Sequence, residues 1–184
     1  NIYFDLGKKR KALNYYDQAL EVNPEHIYSL YNKADTYLKW DKPNKAIELF
    51  KKAIESNSLN KDLYIGLADV YMETKEYENA IVFSTKAIEI DPESLNGYRL
   101  RARAKSFLKK YESAINDLDL ILSRDSLNIA TIFEKARIYS DLEKLNNSTN
   151  EYKKIIRIDS TYSVAYGNIG WNYYLQGDYN KCVL

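Results

Sequence analysis

Along this chain the apolar residues recur three and four positions apart, as in Leu30, Ala34 and Tyr37, and again in Ala46, Phe50, Ala53 and Ile54. That spacing winds a single apolar stripe along a helix, and no stretch alternates apolar and polar residues as a half-buried strand does. The stripes come in pairs, and breakers separate one pair from the next. Pro24 and Pro92 stand just past a second stripe, where a residue without an N–H cannot continue a helix. Pro43, behind Asp41, opens a stripe instead, in a first helical turn where the missing N–H costs little. Gly7 and Gly177 fall between the two stripes of a pair, which predicts turns with positive φ there. The pattern therefore predicts antiparallel helix pairs throughout, with helices over 27–40 and 43–56 in the first complete pair.

The pairs repeat with a period of 34 residues. Stepping by that period, small residues run Ala12, Ala46, Ala80, Ala114, Ser148 and Cys182. A second column runs Tyr3, Tyr37, Tyr71, Lys105, Tyr139 and Tyr173, and a third Ala19, Ala53, Ala87, Ile121 and Ile155. Pro24, Ser58, Pro92, Ser126 and Ser160 form a fourth. This register divides the chain, read as a single array over 1–184, into a partial module 1–26, full modules 27–60, 61–94, 95–128 and 129–162, and a partial module 163–184. Small residues allow two helices to cross closely, so Ala34, Ala68, Ala102, Ala136 and Gly170 are expected to face Ala46, Ala80 and Ala114. Tyr37, Phe50, Tyr71, Leu118, Tyr139 and Tyr152 then fill the space between modules. No module buries its apolar face alone, so stacked neighbours must supply the stability. Both ends lack a polar terminal cap, and the parent protein is expected to continue in both directions.

Composition narrows the functions. The 184 residues carry Lys+Arg 27 against Asp+Glu 26, a net charge of +1 without the basic excess of a dedicated nucleic-acid binder. No apolar run approaches the roughly 18 residues needed to insert across a membrane. One cysteine, Cys182, and one histidine, His26, cannot make an intrachain disulfide or a Cys/His zinc site. His26 has no Ser or Cys partner in register, and no Gly-rich phosphate loop or metal-ligand cluster is present. Neither catalysis nor a cofactor is expected of this segment.

Tyr64-Ile65-Gly66-Leu67-Ala68, followed by Tyr71, Tyr77, Ala80, Ala87 and Pro92, resembles the tetratricopeptide repeat motif. So does Tyr166 with Ile169-Gly170, Tyr173, Gly177 and Tyr179, and the resemblance covers the whole chain. Lys33, Arg101 and Lys135 occupy a slot where the motif favours Leu; their stems are expected to pack while their charges escape to solvent. Ser148 replaces the usual Ala in module 129–162. The resemblance implies an all-α, right-handed superhelical solenoid of antiparallel helix pairs. It also implies a concave groove, lined by first helices, that binds a peptide or partner surface. The alternative is a regulatory or assembly arm of a larger enzyme or sensor whose chemistry lies elsewhere, and exposed apolar ends also permit self-association.

The groove positions that this resemblance implies are Tyr28, Tyr31, Asn32, Asp35 and Lys39 in module 27–60, and Asp62, Ile65, Gly66, Asp69 and Glu73 in 61–94. In 95–128 they are Asn96, Arg99, Leu100, Arg103 and Phe107, in 129–162 Phe133, Glu134, Arg137 and Asp141, and in 163–184 Gly167, Asn168, Trp171 and Tyr174. Arg99 and Arg103 stand one helical turn apart with Arg137 on the next module, and their planar forks suit carboxylates. Phe133 and Trp171 suit apolar or cationic side chains. The expected ligand is an extended, partly acidic peptide, unless Asp69 and Glu134 neutralise the arginines. Gly66 and Gly167 either admit a ligand backbone or are tolerated weak helix residues. The two-carboxylate clamp of chaperone-tail adaptors is out of register: begun at 27–60, its places hold Tyr31, Asp35, Gly66, Asn96 and Leu100. Module 61–94 carries 3 basic and 8 acidic residues against 7 and 4 in module 95–128, so the two are expected to attract.

Overall fold

The computed structural model describes residues 2–181, and the side chains of 7–180. Ten α-helices follow one another: α1 (Ile2–Val22), α2 (Ile27–Leu38), α3 (Pro43–Ser56), α4 (Lys61–Glu73), α5 (Tyr77–Ile90), α6 (Leu95–Phe107), α7 (Tyr111–Arg124), α8 (Ile129–Asp141), α9 (Leu145–Ile158) and α10 (Ser163–Leu175). A short 3-10 turn at Tyr179–Lys181 comes last, and the described residues contain no strand. Helix α2 packs on α3, α4 on α5 and α8 on α9, while α3 also meets α4, α7 meets α8 and α9 meets α10. The chain folds as two compact units, Asn1–Ala104 and Lys105–Leu184, whose boundary falls inside α6.

Each unit has a core built from the expected columns. In the N-terminal unit Ala34, Ala46, Ala68 and Ala80 are completely buried with Leu30, Leu63 and Leu67, and Phe50 closes the cluster. In the C-terminal unit Ala136 packs with Ile132, Tyr152, Ile155, Ala165 and Ile169. Ser148, in the alanine column there, brings a hydroxyl into the interior, and the structure satisfies it. It shares a hydrogen bond with Ser140 (2.7 Å) and accepts one from the Asn172 amide (2.9 Å), which also donates to Thr149 (3.2 Å). A buried polar group is tolerated when it is paired in this way.

The turns inside the helix pairs obey one rule that residue identity hides. Asp41, Lys75, Lys109, Glu143 and Gly177, spaced by the repeat, have φ of 54°, 63°, 57°, 58° and 75°. In each turn that residue donates its N–H to the carbonyl three before it, and its successor donates to the carbonyl five before. Lys75 thus bonds Met72 (3.2 Å) and Glu76 bonds Tyr71 (2.9 Å), a Schellman closure that satisfies the last helix carbonyls. Gly177 adopts the expected positive φ, but Gly7 does not. Helix α1 runs unbroken through Gly7.

Two further expectations are corrected. The cations in the Leu slot do not simply escape to solvent: each reaches the residue sixteen positions earlier on the preceding second helix. Lys33 pairs with Asp17, Lys135 with Asp119, and Arg101 donates to Thr85 (3.3 Å). The partly desolvated stem leaves the charge near a fixed acceptor, so pairing offsets the cost of its burial. Gly66 is not open to a ligand backbone either. A Cβ there would lie 2.5 Å from the Phe50 ring, so glycine makes room for the phenyl. Gly167 has open space around it. Cys182 lies outside the described residues, as does the side chain of Tyr3.

Candidate partner-binding faces

Helices α2 and α4 line two concavities in the N-terminal unit. Tyr28, 76% exposed, joins Tyr31, Asn32 and Asp62 around a cavity of about 250 Å³. Tyr31 stands edge-on to Phe50 (ring centroids 5.3 Å apart), the same phenyl that Gly66 admits. Burial, then the charges of Asp35, Asp62 and Asp69, push the Tyr31 hydroxyl above the usual phenol range. One turn along, Asp35, Lys39, Asp41, Asp69 and Glu73 line a second cavity of about 360 Å³. Lys39 donates to Asp35 (2.6 Å), and that bond holds its ammonium above the usual lysine range. This surface is therefore acidic, with aromatic residues at one end.

Arg99 and Arg103 lie half-buried, one turn apart on α6, within the same unit. Leu100 between them is 1% exposed and belongs to the core, which removes it from the expected groove set. Arg137 lies in the C-terminal unit, so the three arginines divide between the two units and each set stands with its own neighbours.

In the C-terminal unit, Phe133, Arg137 and Asp141 form a stripe along α8, four residues apart. Phe133 packs against Tyr152 (5.5 Å) and Tyr162 (6.2 Å), which makes it as much a packing as a contact residue. Arg137 and Asp141 are exposed and form no ion pair with each other. On α10, Trp171 stacks on Tyr174 (5.3 Å), and Tyr179 meets Tyr174 edge-on (5.7 Å). Trp171 is 57% exposed, so the stack presents open aromatic surface. Ser140 of α8 donates to Asn172 of α10 (3.4 Å).

Tyr152 of α9 sits beneath the α8 stripe, completely buried, and its hydroxyl has no hydrogen-bond partner. Burial pushes that hydroxyl up to about 12, with Arg137 pulling it down and Asp141 raising it. The sequence placed Tyr152 only among packing residues. Its column, Tyr16, Phe50, Ser84, Leu118 and Tyr152, gave no signal, since Tyr16 carries a phenol too. His26 also differs from expectation. Its Nδ1 shares a hydrogen bond with Ser29 Oγ (2.8 Å), a local contact at the start of α2. Ser29 is 5% exposed and out of a substrate's reach.

Tandem antiparallel helix pairs of 34 residues, with small residues at the crossings and exposed side chains along the first helices, define a helix-repeat protein. Sequence profiles of the tetratricopeptide repeat match residues 1–26, 15–48, 41–105 and 129–162. The chain belongs to the tetratricopeptide repeat family, a family of protein-interaction scaffolds. Solved structures agree on this all-α solenoid fold. MamA from Desulfovibrio magneticus RS-1 superposes with a TM-score of 0.77 at 14% identity, covering 85% of this chain and 89% of that one. YrrB, a TPR protein with an unusual peptide-binding site, gives a TM-score of 0.74 at 18% identity over 91% and 87%. PilF of Pseudomonas aeruginosa gives 0.80 at 18% identity over 98% and 82%. No curated protein sequence matches the chain. No described helix is long and apolar enough to cross a membrane.

Proposed function

We propose that the chain is a docking scaffold that holds an extended segment of a partner protein against its first helices. The observation that carries this reading is the exposed and half-buried aromatic and cationic side chains of the first helices, with Tyr28 and Tyr31 at one cavity and Asp69 at a second, acidic one that suits a basic or neutral residue of the segment. Concave surfaces with a few convergent polar groups and exposed aromatic rings are where ligands gain contact at low entropic cost. The partner's acidic residues engage Arg99 and Arg103 in the N-terminal unit, and Arg137 in the C-terminal unit. Its apolar residues lie on Tyr28 and Tyr31, and separately on Phe133, Trp171 and Tyr174. YrrB supports the reading as a protein of similar fold that carries a peptide-binding site.

Panning a random octapeptide library against the full chain at low salt tests this. Enriched peptides should contain acidic residues, and an Arg99→Ala, Arg103→Ala double variant should lose about tenfold in affinity, measured by fluorescence anisotropy of labelled clones. Failure to enrich any peptide over an empty matrix would overturn the proposal. Unchanged affinity in the double variant would remove those two arginines from the site.

A further inference from the structure

Four consecutive cations, Lys8, Lys9, Arg10 and Lys11, stand near the start of α1. Lys33 of α2 pairs with Asp17, and Lys9 donates to the Lys39 carbonyl (3.0 Å), so α1 and α2 run antiparallel. The basic run therefore lies beside the end of α2, where the turn into α3 adds Lys42 and Lys45. Residues 8–11 and 39–45 together carry seven cations and one acid, Asp41. Of the seven, all but Lys9 are exposed. The cluster is bounded on both sides. Residues 12–32 hold Asp17, Glu21 and Glu25 without a Lys or Arg, and the next turn sets Glu73, Glu76 and Glu78 around Lys75. Two half-buried rings sit within the cluster, each with an ammonium above it. Lys42 Nζ lies 4.2 Å from the centre of the Trp40 ring, and Lys45 Nζ 5.2 Å from that of Tyr37.

We infer that this end of the N-terminal unit rests on an anionic lipid surface, its cations meeting lipid phosphates while Trp40 lies at headgroup depth. Each Lys or Arg held near an anionic bilayer raises affinity about fivefold, so a handful of them suffices for reversible binding. Tryptophan and tyrosine favour that depth because an apolar ring and a polar tip are both accommodated there. The contact is peripheral, since no described helix is long and apolar enough to cross a membrane. The separation of charge along α1 also orients the unit: a flat anionic surface attracts the basic end and repels the acidic one. Nucleic acid fits less well. A stacked base needs an open ring face, and the Lys42 ammonium stands over that of Trp40. A long polyanion would also run on from the cluster toward Glu73, Glu76 and Glu78.

Sedimentation of the full chain with vesicles at low salt tests this. Vesicles of phosphatidylcholine and phosphatidylglycerol in equal parts should carry the chain down, and vesicles of phosphatidylcholine alone should not. The double variant Lys11→Glu, Lys42→Glu should bind the mixed vesicles about thirtyfold more weakly or worse. Lys51→Glu, Lys52→Glu makes the same change of net charge on exposed residues of α3 beyond the cluster, and should bind within about threefold of native. Thermal melts check that each variant is folded; should the reversal unfold, Arg10→Gln, Lys11→Gln carries the same test. With Trp171→Phe, Trp40 is the one tryptophan left, and its emission should shift to the blue on adding the mixed vesicles. No binding to mixed vesicles, equal losses in the two reversal variants, or an unmoved Trp40 emission would overturn the inference. So would an oligothymidylate that binds the chain more tightly than the mixed vesicles do, which would assign the cluster to nucleic acid. Neither charge reversal touches a residue of the docking reading, so the two are decided separately.

Discussion

At the residue scale, the turns show how far backbone geometry can run ahead of side-chain identity. Four of the five positive-φ positions carry Asp, Lys or Glu, residues for which the left-handed region costs about 1–2 kcal/mol. Replacing Lys75 or Lys109 by Gly relieves that cost, less what glycine gains in the unfolded chain. Each substitution should therefore raise stability by about 0.5–1 kcal/mol in urea titration; a loss would mean the lysine side chain contributes more than its backbone costs. Only Gly177 announced its turn in the sequence, because glycine is the residue whose preference is visible without context. Gly66 was invisible for the opposite reason. Its cause is the Phe50 ring, sixteen positions earlier and on another helix, so nothing local distinguishes it from a tolerated weak residue.

At the element scale, each helix pair uses the same seats with different chemistry. Tyr71 stacks on Phe83 in one module (5.3 Å, nearly parallel), and in the next the equivalent seats hold Lys105 and Asp117, an ion pair at 2.7 Å. The Asp117 side chain is only 4% exposed. Removing one partner of so buried a pair strands the other charge, so Asp117→Ala should cost about 3 kcal/mol. The double variant Lys105→Tyr, Asp117→Phe imports the aromatic stack and should recover most of that loss, since apolar replacements of buried pairs are often neutral or better. Chemical denaturation of both variants decides it: a double variant no more stable than the single would show that the seats are not equivalent. Helix stripes, pairing and period were legible because they are properties of one chain segment. The destinations of Lys33, Arg101 and Lys135 were not, because an acceptor sixteen residues away is chosen by packing rather than by local pattern.

At the scale of the whole molecule, exposed surface charge adds little to stability. The chain is nearly neutral, and several of its ion pairs are exposed, such as Lys86–Glu89 and Lys39–Asp35. Exposed pairs contribute little and are screened by salt. Raising salt should therefore move the melting temperature by only a few degrees while it weakens the retained acidic peptides many-fold. Equal sensitivity of both would contradict the assignment of the arginines to partner contact. The aromatic and Arg residues of the candidate site were named from the family resemblance, and the sequence did not show that they divide between two compact units. Asp35 and Glu73 were among the expected groove positions, but that they share one acidic cavity wall with Asp41 was not visible, since side chains from different modules meet there only after folding.

A chain assembled from near-copies faces the hazard that one copy seats itself where another belongs. The knot of Ser140, Ser148, Thr149 and Asn172 guards against this for the last helix pair. Were α10 to slip one module upstream within any similar array, the Asn172 amide would confront an alanine in place of Ser148, and its hydrogens would go unanswered in a dry interior. An address is thus written into the interior itself, legible only to the correct neighbour.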